Sequence, residues 1–139
     1  GRYGMVLPTF VRQALAGQPI TVYGDGTQKR CFGYVGDVVG AIIRLAQEPR
    51  AVGQVFNVGN DREISILGLA EKIKAMVGSP SEIVTVPYDA AYEAGFEDMM
   101  RRIPDLTKVR EAIGYEPRVQ LDEMISEVIE YHRSHKRAS

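Results

Sequence analysis

Two arginine-bearing segments carry most of the chemistry available to this sequence. Arg30 stands in Thr27-Gln28-Lys29-Arg30-Cys31-Phe32. A guanidinium presents planar paired donors that match phosphate oxygens, and it stays charged at every working pH. In an extended chain, Arg30, Phe32 and Tyr34 share one face. A charge beside such a face requires a partner. A phosphate would serve, and so would a neighbouring carboxylate or a place at the surface. The second segment is Arg101-Arg102-Ile103-Pro104-Asp105. Cations are not favoured at a helix N-terminus, but an anion there would be held by both arginines and by free backbone amides. A solvated charged loop with Asp105 as a plain cap satisfies the same spacing.

Other chemistries find little support. Cys31 is the only cysteine and has no histidine near it in sequence, so it reads as a small buried residue, and no disulfide is possible. His132 and His135 lie in the tail without the further ligand cluster that a zinc site needs, so no metal is expected. The 17 Lys and Arg nearly balance 18 Asp and Glu, which argues against nucleic acid or a charged membrane surface as partner. An anion site must then come from a few placed arginines. No apolar run approaches the ~20 residues that span a bilayer, and no signal-peptide pattern opens the chain. With a single cysteine, a cytoplasmic location is expected.

The elements that must position these residues alternate. Leu7, Val11 and Leu15 fall on one face of a helix over residues 5–16, with Pro8 in its first turn and Gly17 at its end. Residues 20–23 read as a strand closed by Gly24-Asp25-Gly26, and residues 30–35 as a second strand. Asp37 is placed to cap the next helix, whose apolar stripe is Val38, Val39, Ile42, Ile43 and Ala46. Residues 55–59 read as a short buried strand, and Ser65 as the cap of a helix lined by Leu69, Ala70, Ile73, Met76 and Val77 and stopped by Gly78. Residues 83–86 form a strand by composition, and 88–100 a loop. A helix from Asp105 to Gly114 and a last one on Leu121, Met124, Ile125, Val128 and Ile129 precede a frayed tail from His132. Helix and strand alternate, which predicts an α/β architecture with short strands and about five helices in a single domain, 1–139.

The order of these motifs resembles the extended short-chain dehydrogenase/reductase family, which includes NAD-dependent nucleotide-sugar epimerases, dehydratases and decarboxylases. The matching residues are Thr21-Val22-Tyr23-Gly24, Thr27 to Phe32, Asn57 in Phe-Asn-Val-Gly, Arg102 three residues before Asp105, and Gly114-Tyr115-Glu116-Pro117. The resemblance runs from about residue 4 to 132. It implies that Arg30 and Arg102 hold a diphosphate, with Arg101 as the alternative to Arg102. Asp105 would face the ribose, and Val22 and Tyr23 would flank a uracil or thymine read by the strand backbone. Pro8 would lie in the helix start that runs along the substrate. Asn57, at a strand end, is expected to bond nearby backbone and so to be structural, and the Gly114–Pro117 turn is implied to be a fold marker without chemistry. The implied partner is a UDP- or dTDP-sugar.

Two family features are missing from these residues. No Gly-x-x-Gly-x-x-Gly run follows a strand, so no dinucleotide cradle is present. None of the seven tyrosines has a lysine four residues later, so the proton-transfer pair is missing too. The chain therefore reads as the C-terminal, substrate-binding portion of a longer enzyme, without a catalytic or cofactor-binding residue of its own. NAD would be bound by an N-terminal Rossmann domain that is absent here, and the parent would be a homodimer. The implied parent reaction removes hydride at C4 of the sugar, then epimerises, dehydrates or decarboxylates, and returns it. UDP-sugar 4-epimerase and UDP-glucuronate decarboxylase are the leading subclasses. A non-catalytic nucleotide-binding or interaction module is the rival. Apolar surface made to meet the missing part would be left exposed, favouring self-association.

Overall fold

Helix α1 (Val6–Ala16) leads into strand β1 (Ile20–Tyr23), and a tight turn leads into β2 (Lys29–Cys31). The computed structural model describes residues 6–87 and 103–136. Helix α2 (Val35–Ala46), a 3₁₀ turn (Pro49–Ala51), β3 (Glu63–Ser65), α3 (Ile66–Val77), β4 (Ile83–Val86), α4 (Thr107–Ile113) and α5 (Leu121–Lys136) follow. The described residues thus hold the expected α/β alternation with five α-helices and short strands. The strands form two separate pairs: β1 runs parallel to β4, and β2 antiparallel to β3.

The main core lies where α1, α3 and α5 cover the β1–β4 pair. Phe10, Val11, Ile20, Val22, Leu69, Ile73 and Ile125 are fully or almost fully buried there. Each comes from a helical apolar stripe or an inward strand position, so local periodicity and tertiary burial agree. Helix α3 starts where Ser65 accepts the Gly68 N–H at 2.9 Å and stops at Gly78 in the left-handed conformation (φ 70°). Both ends match the sequence expectation. A second, smaller cluster joins Ala41 of α2 to Leu106, Val109 and Tyr115.

Several expectations are corrected. Residues 55–59 belong to neither sheet. Val55 is 82% exposed, and the segment has no strand beside it among the described residues. A strand exists only as a pair, so β composition without a neighbour leaves an extended segment. Strand β2 ends at Cys31, because β3 offers only three residues to pair with. Asp37 does not cap α2: the helix begins at Val35, and the Asp37 carboxylate accepts the N–H groups of Arg118 and Val119, each at 3.0 Å. The buried residue of α2 is Ala41, while Val39, Ile42 and Ile43 face outward. Helix α4 starts at Thr107, two residues after Asp105. The last helix continues to Lys136, past the point where fraying is expected. The loop expected at 88–100 lies outside the described residues.

Candidate substrate-binding site

The β1–turn–β2 unit is built so that one edge of β1 is turned away from its sheet. The N–H groups of Ile20 and Gly24 donate to Glu82 and Val86 of the β4 side, at 2.8 and 2.7 Å. Even-numbered residues of β1 therefore turn their main chain toward β4. Thr21 and Tyr23 turn theirs to the opposite edge. Side-chain amides meet them there. Gln13 of α1 accepts the Thr21 N–H (3.2 Å) and donates to its hydroxyl (2.9 Å), while Gln28 donates to the Tyr23 carbonyl (3.1 Å).

The turn between the strands is pinned at several points. Gly24 and Gly26 have φ of 72° and 76°, a left-handed backbone that favours glycine. A Cβ on Gly26 would stand 2.8 Å from both Leu67 and Val22 side chains, so the close approach also demands glycine. The Asp25 carboxylate accepts the Thr27 hydroxyl (2.7 Å) and N–H (2.9 Å), and these bonds hold its pKa below the usual carboxylate value, the hydroxyl bond contributing most. The first amides of α3 then dock on the turn: Leu67 donates to the Gly26 carbonyl and Ile66 to that of Gln28, both at 2.9 Å. Turn and helix N-terminus satisfy each other's backbone groups.

The expected ligand residues occupy these places. Tyr23 is 38% exposed at the outer end of β1. Val22 is fully buried, so its side chain fills the core and does not flank a ligand; the strand's alternation puts it on the inward face beside an outward Tyr23. Arg30 is half-buried on β2, opposite Ile64 of β3, and donates to the Lys29 carbonyl at 2.9 Å. Pro8 is half-buried in the first turns of α1. Asp105 is exposed and accepts the Thr107 N–H at 3.0 Å; that backbone bond is the main cause of its lowered pKa. Arg101 and Arg102 lie outside the described residues, as would any meeting of Arg102 with Arg30.

Residues 4–128 match the family model described as GDP-mannose 4,6 dehydratase. The chain belongs to this family. It is a partial chain of the extended short-chain dehydrogenase/reductase, nucleotide-sugar epimerase/dehydratase type. It is 41% identical over 133 residues to a UDP-N-acetyl-alpha-D-glucosaminuronate decarboxylase of Bacillus cytotoxicus, covering 96% of this chain and 41% of that protein. Among solved structures it resembles the UDP-glucose 4-epimerase of Thermotoga maritima, solved with UDP-glucose. That likeness has a TM-score of 0.79 and 33% identity and covers 94% of this chain and 40% of that one. It also resembles WbmF of Bordetella bronchiseptica in complex with NAD+ and UDP (TM-score 0.78, 28% identity, 98% and 39% covered). The chain thus spans about two-fifths of the length of each of these relatives.

Within the family frame, sequence reasoning missed Gln13 and Gln28. Gln28 sits inside the quoted arginine motif, so its place was on view; what it bonds was not. Asn57, expected to bond nearby backbone, is exposed and makes no hydrogen bond among the described residues. Asn60 does that work, accepting the Arg62 N–H at 2.8 Å. Tyr115, in the Gly114–Pro117 fold marker, donates to the Gly59 carbonyl at 2.5 Å in a buried site, and burial is the main cause of its raised pKa.

Proposed function

We propose that this chain holds the nucleotide of a UDP-sugar in an NAD-dependent decarboxylase or 4-epimerase. The observation that carries the reading is the 41% identity to a UDP-sugar decarboxylase across nearly the whole chain. The outward main-chain edge at Tyr23 reads the uracil, with Val22 supporting it from the core. Arg30 and Arg102, or Arg101 in its place, neutralise the diphosphate. Asp105 takes the ribose, and Pro8 borders the sugar. Gripping the nucleotide at these remote points positions the reacting carbon and lowers the barrier.

The residues present do not fit NAD: they include neither the glycine-rich turn nor a Tyr-x-x-x-Lys pair. We assign the cofactor and the proton transfer to the rest of a longer, dimeric, cytoplasmic parent. This chain alone then binds substrate without turning it over. Each charge-assisted bond contributes roughly 1.5–3 kcal/mol. Arg30→Ala in the complete enzyme should therefore weaken UDP and UDP-sugar binding by about ten- to a hundredfold in calorimetry. Unchanged affinity would overturn the assignment of Arg30. Turnover of a UDP-sugar by the 139-residue chain would overturn the division of labour.

A further inference from the structure

The outer edge of β1 is held at both ends by side-chain amides. Four main-chain groups face that edge, in the order Thr21 N–H, Thr21 carbonyl, Tyr23 N–H, Tyr23 carbonyl. Gln13 accepts from the first at 3.2 Å, and Gln28 donates to the last at 3.1 Å. The two amides thus frame the Thr21 carbonyl and the Tyr23 N–H, an acceptor beside a donor.

Both amides are themselves anchored. Gln13 lies on α1, and its main-chain carbonyl accepts the hydroxyl of the buried Ser81 at 3.3 Å. The Ser79 hydroxyl ties the next carbonyl, that of Ala14, at 2.6 Å. The Gln13 side chain is fixed a second time by donating to the Thr21 hydroxyl at 2.9 Å. Gln28 is held from the other side, where its main-chain carbonyl accepts the Ile66 N–H at the start of α3 (2.9 Å). Each amide is therefore carried by a backbone that a second element holds, as a site that must keep its register requires.

The Gln28 bond is exposed, so water would satisfy the Tyr23 carbonyl nearly as well. What a side-chain amide adds is a fixed direction for the strand edge before any ligand arrives, and such pre-organisation removes an ordering cost from binding. The framed pair has a natural complement: in uracil the N3–H stands beside the C4 carbonyl, a donor beside an acceptor. We infer that Gln13 and Gln28 are positioning residues, holding the edge of β1 so that its framed acceptor and donor meet a pyrimidine that carries N3–H. The inference rests on the proposed reading of uracil by this edge and adds the side chains that make the edge rigid. The competing role is protection of a strand edge from further pairing, which would be indifferent to the base.

Calorimetric titration of the 139-residue chain with UDP and with N3-methyl-UDP, which has the same charge but lacks the donor, tests this. The unaltered chain should prefer UDP by about tenfold, the worth of one hydrogen bond. Gln28→Ala and Gln13→Ala should each cut that preference to about threefold or less, through weaker UDP binding with N3-methyl-UDP binding unchanged. Two further variants separate the roles. Gln13→Glu should keep the preference, because a carboxylate still accepts the Thr21 N–H and the Thr21 hydroxyl can turn to donate to it. Gln28→Glu should lose it, because a carboxylate has nothing to donate to the Tyr23 carbonyl. The ratio between the two ligands cancels the added charge. An unaltered chain that shows no preference, or no binding, overturns the reading of the base and this inference with it. An unaltered chain that prefers UDP, with alanine variants that prefer it equally, leaves that reading standing and overturns the positioning role, as plain edge protection would predict.

Discussion

Twelve buried residues, from Leu7 to Ile129, enclose one another in the main core, so every apolar stripe that enters it is covered. The second cluster brings together only four, Ala41, Leu106, Val109 and Tyr115, and it is covered on one side. On its other side Val39, Ile42 and Ile43 of α2 stand exposed with Val52 and Val55. Polar ties do much of the holding there. Arg44 donates to the Ile113 carbonyl, Lys108 to that of Val55 (2.7 Å), Tyr115 to that of Gly59, and Asp37 accepts from Arg118 and Val119. Lys108 also lies over the Phe56 ring, 4.8 Å from its centre. The same sequence signal, a helical apolar stripe, closes a core in one region and leaves a bare face in the other. Periodicity reports that a face is apolar; it does not report what covers it.

The sharpest way to break this contrast is a pair of truncations. Leu69→Ala, in the closed core, should lower unfolding free energy by about 2–5 kcal/mol. Ile42→Ala, on the bare face, should change it by less than about 0.5 kcal/mol. Urea titration of both variants measures the difference, and equal losses would mean that α2 is covered after all. Tyr115→Phe removes the hydroxyl but leaves the buried Gly59 carbonyl without its donor, so a loss of about 1–3 kcal/mol is expected in the same experiment. Ser65→Ala, which uncaps α3 at the rim of the main core, should cost about 1 kcal/mol; Ser65→Gly should cost only a few tenths by the same accounting.

Ile42→Glu addresses the bare face directly. Sedimentation should show less self-association than the parent chain at the same concentration, with little change in the urea midpoint. Undiminished association would place the sticky surface elsewhere. The smallest effect concerns the pinned turn. Asp25 is bonded by Thr27 and has a folded pKa below 3.8. A lowered carboxylate pKa gives a contribution that is present above the unfolded value and lost as pH falls through the folded one. NMR titration of the Asp25 carboxyl should therefore show a midpoint under 3.8, with Thr27 shifts moving alongside. Thr27→Ala should return the midpoint toward that ordinary value.

Much of the main core was legible in the sequence, because a helical stripe is local information. Leu7, Val11, Leu69, Ala70, Ile73 and Ile125 needed only the 3.6-residue period, and Gly17, Gly78 and Gly114 marked helix ends where they stand with left-handed backbone. The site was legible in part. Arg30 and Tyr23 were placed on their strands by motif, but their surroundings come from distant residues. Gln13 reaches across eight positions to Thr21, and Ile66 and Leu67 reach back about forty to the turn, which no window of sequence displays.

By itself the sequence determined that Ser65 caps α3, that Gly17, Gly78 and Gly114 end their helices, and that an arginine stands beside a glycine turn. These follow from propensity, period and steric rules that act over a few residues. The tertiary structure alone decided that residues 55–59 stay unpaired, that Asp37 ties α2 to residues 118–119, and that one face of α2 is bare. Pairing and covering depend on a second segment being present at the right distance, and local sequence carries no record of that.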